Sequence, residues 1–275
     1  MFDIVVHRLL RIPYILNVHY IQRPQGAKKT VLFIHGIGSS GDEWSKVIDG
    51  LPDNIQIITI DLLGFGDSPK PKWPIYNAKT QTNALLATLL KLAVHNRLII
   101  VGHSLGALVA VEVAKRYPLL VESMVLCSPP FYNINNKSKR FLPSNNHALR
   151  KIYMLAKNKP DRFLQLSAFA MKYNLVNESF NVTNDNVDSF MAALEAMIIN
   201  QTSYDDALNL KVPTTVIRGA LDPLVIGKNI RAIERFNPNV RSRVIIASHE
   251  VRGLFVVAVV NAIKHELQSA NKRVI

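Results

Sequence analysis

Short, nearly continuous apolar runs recur along the first half of the chain. Thr30 to Ile34, Ile55 to Ile60, Arg97 to Val101 and Val121 to Leu126 are rich in Ile, Val and Leu and bounded by polar residues, glycine or proline. Such runs mark strands buried on both faces, as in a parallel sheet. Tyr14 to Ile21 reads as a further extended strand. Asn77 to Val94 and Ser104 to Arg116 have helical spacing instead, the second ended by Tyr117-Pro118. Strands alternating with helices predict an α/β fold with a mainly parallel sheet.

The pattern changes after Ser128-Pro129-Pro130. From Phe131 to about Leu210 strand signals disappear, and Asn145 to Lys157, Asp161 to Tyr173 and Asn186 to Asn200 read as helices. Strands resume at Thr214 to Arg218 and Arg243 to Ala247, and a last helix runs from His249 or Glu250 to Gln268. This arrangement predicts an α/β core from residues 1–130 and 211–275, with a helical lid, 131–210, inserted into it. At the start, Met1 to Ile12 sets Phe2, Val5, Val6, Leu9 and Leu10 against Asp3, His7, Arg8 and Arg11. A short amphipathic helix packed on its own domain is the expectation there, and contact with a membrane is the sharper alternative.

Composition narrows the class. The chain has 275 residues, 48% hydrophobic and 19% charged, which suits one folded domain with an insertion rather than a disordered chain. Its single cysteine, Cys127, excludes an intrachain disulfide and a cysteine-rich metal site. With no secretory signal, that fits a cytoplasmic protein. The longest apolar run in the last helix, Phe255 to Ala262, is too short to span a membrane, so stable membrane insertion is not expected. The net charge of +13 suits anionic partners. The cations are scattered, however, and the densest stretch, Asn136 to Arg140, lacks interleaved aromatics. A nucleic-acid partner is therefore not expected.

The strongest chemical signal is Gly102-His103-Ser104-Leu105-Gly106, placed between the strand Leu98 to Val101 and an apolar helix. In that context G-x-S-x-G is a nucleophile elbow, with Ser104 held in a strained turn so that its Oγ is exposed. Acyl transfer also needs donors for the oxyanion. The N–H of Leu105, at the helix start, is one candidate. The N–H of Ile37, in His35-Gly36-Ile37-Gly38, is the other. A serine hydroxyl needs a base. Among eight histidines, His249 alone follows a late strand, in the order Ser, Asp, His. Asp222, in the loop Arg218 to Pro223, is the acid expected to orient it. His35 reads as structural, and Asp61, in Asp61 to Ser68, as a loop anchor.

Together these segments resemble the alpha/beta-hydrolase superfamily, within its lid-bearing serine esterases and carbon–carbon bond hydrolases. His35 to Gly38 looks like the family's oxyanion loop, Asp61 to Ser68 its D-x-x-G-x-G-x-S loop, Gly102 to Gly106 its elbow and Gly219 to Asp222 its acid loop. The resemblance implies an alpha/beta-hydrolase fold of about eight mostly parallel strands flanked by helices, and no cofactor. Two departures stand out. Ser248 precedes His249 where many members have glycine, and the insertion carries no assignable motif. The serine at 104 separates the chain from relatives that use aspartate there, the epoxide hydrolases and haloalkane dehalogenases. The expectation is a carboxylesterase for small to medium acyl groups, with Phe131, Phe163 and Met191 among the pocket walls. The alternatives are carbon–carbon hydrolysis of a vinylogous diketone acid and a catalytically silent small-molecule receptor.

Overall fold

A computed structural model describes residues 3–133, 147–173 and 175–272. Its strands are β1 (Val18–Gln22), β2 (Thr30–Ile34), β3 (Gln56–Ile60), β4 (Leu98–His103), β5 (Val121–Cys127), β6 (Thr214–Gly219) and β7 (Val240–Ile245). They form one sheet in the order β1-β3-β2-β4-β5-β6-β7, parallel except for β1, which runs antiparallel to β3. That is seven strands among the described residues, against about eight implied by the resemblance.

Helices α1 (Ser45–Ile48), α2 (Ala78–Lys91), α3 (Leu105–Arg116), α8 (Gly227–Phe236) and α9 (Leu254–Lys272) flank the sheet, and α4 (His147–Asn158), α5 (Pro160–Lys172), α6 (Val187–Ala193) and α7 (Ser203–Leu208) connect β5 to β6. Strand alternation builds two cores. In β2, Leu32 and Ile34 join the layer under α2 and α3, while Val31 and Phe33 join the layer under α1 and α9. All five residues of β2 are buried, which is why the run reads as continuously apolar.

The chain between β5 and β6 carries no strand among its described residues and packs against the upper core layer through Tyr153, Phe163, Phe190 and Leu194. The basic stretch Asn136 to Arg140 lies outside the described residues. At the far edge, β7 exposes Arg241 and Arg243, and Glu234 of α8 accepts hydrogen bonds from the Ser242 N–H at 2.7 Å and from its hydroxyl at 2.6 Å.

Several boundaries differ from the sequence reading: β1 begins at Val18 rather than Tyr14, and β7 spans Val240–Ile245 rather than Arg243 to Ala247. The last helix begins at Leu254, leaving His249 in the loop after β7. The helix read over Asn186 to Asn200 is α6 followed by a π-helical turn, Leu194–Ile199. The N-terminal segment is not a helix packed on its domain: Ile4–Leu9 is one π-helical stretch with no buried residue. Polar contacts hold it instead. Asp3 accepts hydrogen bonds from the Tyr14 hydroxyl at 2.8 Å and Trp73 Nε1 at 3.0 Å, and the His7 ring stacks on Tyr14.

Candidate active site

The elbow is built as its sequence requires. Ser104 sits between β4 and α3 with φ +48° and ψ −114°, a left-handed conformation unusual for a residue with a side chain. Neighbouring chain holds it there, since the Ser104 N–H donates to the Cys127 carbonyl at 2.9 Å. A β-carbon on Gly102 would come within 2.6 Å of the Gly106 carbonyl oxygen, and one on Gly106 would collide with the Ile34 carbonyl. Only glycine fits at either place.

Asp222 and His249 meet from the ends of β6 and β7. Asp222 Oδ2 lies 2.8 Å from His249 Nδ1, with the carboxylate side chain fully buried. Its other oxygen accepts the N–H groups of Leu224 at 2.8 Å and Val225 at 3.2 Å. Burial alone would favour the protonated acid. The His249 hydrogen bond and its electrostatic interaction, with the Leu224 N–H, outweigh it and hold the Asp222 carboxyl below its ordinary value.

His249 and Ser104 line one cavity of about 310 Å³. Ile37 lines it too, and Leu105 begins α3, where a helix's first N–H groups lack intrahelical partners. The remaining walls are mostly apolar, supplied by Ile152, Leu155, Phe163, Phe180, Phe190 and Leu194. Of the three residues expected in the pocket wall, Phe163 lines this cavity, and Phe131 and Met191 are not among its lining residues. After Pro129, alternate residues face the cavity, so Pro130 and Tyr132 line it while Phe131 packs into the core. On α6, Phe190 faces the cavity, and Met191, a further 100° or so round the helix, points elsewhere.

His35 is a fixed neutral ring. Its Nε2 accepts the Leu62 N–H at 2.9 Å, so Nδ1 carries the proton and donates to the Gly36 carbonyl at 2.7 Å. Complete burial pushes its pKa down. That carbonyl and the Ile37 N–H belong to the same trans peptide and point opposite ways, so His35 sets the direction of the Ile37 N–H. Asp61 is a loop anchor, accepting from Gly41 N–H at 2.7 Å, Asn17 Nδ2 at 2.8 Å and Asp67 N–H at 2.9 Å.

One arrangement was not anticipated. Glu43, just before Trp44, and His103, the variable residue of the elbow, form an almost fully buried ion pair beside Ser104. Glu43 also accepts the Gly36 N–H at 2.8 Å, and His103 Nε2 lies 3.0 Å from the His249 carbonyl. The pair ties the Gly36 loop, the elbow and the His249 loop together. Burial opposes charge on His103, but Glu43, with Glu250 and the His249 carbonyl, pushes its pKa up to about 9. No local sequence signal marks Glu43, because three distant loops must meet before it has a partner.

Comparison with known proteins identifies the fold family. The family described as "alpha/beta hydrolase fold" matches residues 29–250. The chain belongs to the alpha/beta hydrolase fold family. Solved structures of this fold superpose closely. They include the enol-lactonase from Burkholderia xenovorans LB400 (TM-score 0.74, 18% identity, 93% of this chain and 100% of that one). A thermophilic esterase from Thermogutta terrifontis matches at TM-score 0.72 and 20% identity, covering 93% of each chain. At these identities the likeness concerns the fold. Among curated relatives, the probable lysophospholipase BODYGUARD 2 of Arabidopsis thaliana is 32% identical over 122 residues, 42% of this chain. That match spans only 26% of the plant protein's length.

Proposed function

We propose that this chain is a serine hydrolase of carboxylic esters with small to medium acyl groups. The observation that carries the proposal is the Asp222–His249 pair opening, together with Ser104, into one mainly apolar cavity. In this reading Ser104 Oγ attacks the ester carbonyl while His249 Nε2 takes its proton. Asp222 keeps the other ring nitrogen protonated and stabilises the imidazolium. The N–H groups of Ile37 and Leu105 receive the oxyanion, a donor there contributing about 3 kcal/mol in comparable sites. His249 then returns the proton to the leaving alkoxide, and the acyl-enzyme is hydrolysed by a water that His249 deprotonates. The helical segment from β5 to β6 serves as a lid, since α4, α5 and α6 supply most of the apolar wall.

The wall also weighs against the carbon–carbon hydrolase alternative. That substrate carries a carboxylate, yet no Lys or Arg is among the described residues lining the cavity, whereas Glu43 and Glu250 are. An uncharged ester with an apolar acyl chain fits better. Each methylene buried contributes about 0.8 kcal/mol, so kcat/KM should rise roughly fourfold per added carbon until the cavity is full.

The decisive experiment labels the protein with a fluorophosphonate probe and measures p-nitrophenyl ester turnover. Wild type should react in both assays. Ser104→Ala should do neither while keeping its circular dichroism spectrum. A wild-type protein inert to both assays would instead favour the silent receptor, and turnover by Ser104→Ala would overturn the proposal.

A further inference from the structure

The N-terminal segment leaves much apolar surface uncovered. Ile4, Val5, Leu9, Leu10 and Ile12 are all exposed, Leu9 by 73% and Leu10 by 60%. The surface does not end there. Asp3 bonds Trp73, itself 37% exposed, and two residues on Ile75 is 68% exposed. The two segments thus form one continuous face. Exposed apolar residues grouped in this way mark an interaction surface, unlike the isolated ones common on any protein.

Cations predominate around this face. Arg8 and Arg11 stand exposed between its apolar residues, and Lys72 is exposed beside Trp73, its contact with Asp188 being a long one of 3.9 Å in solvent. The acid within the segment, Asp3, is an anion whose pKa the Trp73 and Tyr14 hydrogen bonds lower, and those bonds turn its carboxylate towards the two rings. Apolar side chains, an indole at the border and surrounding cations are what an anionic lipid surface recognises. The face also adjoins the segment that covers the cavity. Tyr76, just after Ile75, accepts a hydrogen bond from Ser189 of α6 at 3.1 Å.

We infer that residues 4–12 and the Lys72–Ile75 loop form a docking face for the surface of an anionic lipid bilayer. Leu9, Leu10 and Ile75 enter the acyl region, Trp73 sits at its border and Arg8, Arg11 and Lys72 meet the headgroups. No helix of the described residues is long and apolar enough to cross a membrane, so the contact is peripheral.

The molecule carries its own reporter. It has two tryptophans, Trp44 fully buried and Trp73 on the face. With vesicles of phosphatidylcholine containing phosphatidylglycerol, fluorescence should shift to the blue and brominated acyl chains should quench Trp73. Phosphatidylcholine alone should bind far less. Arg8→Gln with Arg11→Gln should weaken binding to anionic vesicles roughly 25-fold, about fivefold per cation. Leu9→Asp with Leu10→Asp, and separately Ile75→Asp, should abolish quenching while turnover of a soluble ester stays at the wild-type level. Absence of vesicle binding by wild type would overturn the inference. So would binding that survives both sets of aspartate substitutions. A stable dimer in sedimentation that Leu9→Asp with Leu10→Asp dissociates would assign the face to a second copy of the chain instead. The vesicle-binding, quenching and sedimentation readouts do not depend on Ser104 chemistry, so they fail or succeed separately from the hydrolase assignment.

Discussion

Three histidines around one serine illustrate how surroundings assign a role to the same ring. His35 is locked neutral between Leu62 and Gly36, and His103 is held charged by Glu43. His249 has one nitrogen on Asp222 and reaches the cavity that holds Ser104. Replacing Asp222 with Asn should remove the acceptor that fixes the His249 tautomer and lower kcat by roughly 10⁴-fold in a folded protein. The measurement is steady-state kinetics beside a melting curve, and an Asn variant with wild-type kcat would exclude Asp222 as the orienting acid. The Glu43–His103 pair makes a second prediction, about stability. His103 is raised above its ordinary 6.5, so its contribution is full below that value and is lost as pH rises through about 9. Glu43 is lowered below its ordinary 4.5, so its contribution is present above that value and is lost as pH falls through its depressed folded pKa. Glu43→Gln should therefore reduce Tm most between about pH 4.5 and 6.5. The gap to wild type should narrow as pH rises from about 6.5 through about 9, where His103 loses its charge in the folded protein. A gap that stays constant across that range would show that charge is not what the pair contributes.

At the scale of elements, legibility followed burial. β2 and β4 were readable because every residue in them is buried, so composition alone marks them. The start of β7 was missed because an edge strand alternates, and Arg241 and Arg243 break the apolar run. Helices α1 and α7 are too short to show a period, and α8 hides its buried Ile230 and Ile233 among charged residues. The π-helical turn after α6 carries a spacing that a 3.6-residue pattern does not detect. Side-chain direction within a readable helix was harder still, as the neighbours Phe190 and Met191 show. Phe163→Ala, which enlarges the cavity wall, should shift the preferred ester towards longer or bulkier acyl groups and lower kcat/KM for the best short ester. Met191→Ala should leave the preference where it is. An ester series on both variants tests this, and a shift with Met191→Ala would mean that its face of α6 meets the acyl group.

For the whole molecule, the candidate site was legible as a set of residue types in chain order, Ser104, Asp222 and His249, because each follows a strand that the apolar pattern reveals. Parallel strands put those positions at one end of the sheet, where open α/β sheets bind ligands. What the order could not reveal is the contact between loops, such as Glu43 meeting His103 and Gly36, since that depends on how far each loop reaches. The same holds for the N-terminal face, whose spacing suggested a packed helix until Asp3 and Trp73 fixed it outward.

The carboxylate of Glu234 on the Ser242 N–H has a consequence for life at high concentration. An open strand edge is a template on which identical chains add to one another, and the donor that would begin such a stack is already taken here, with Arg241 and Arg243 on either side repelling a second copy. Glu234→Ala together with Arg241→Thr and Arg243→Thr should turn the edge into an adhesive one. Light scattering of concentrated samples would then grow over hours while wild type stays clear, and equal clarity would mean that the guard lies elsewhere.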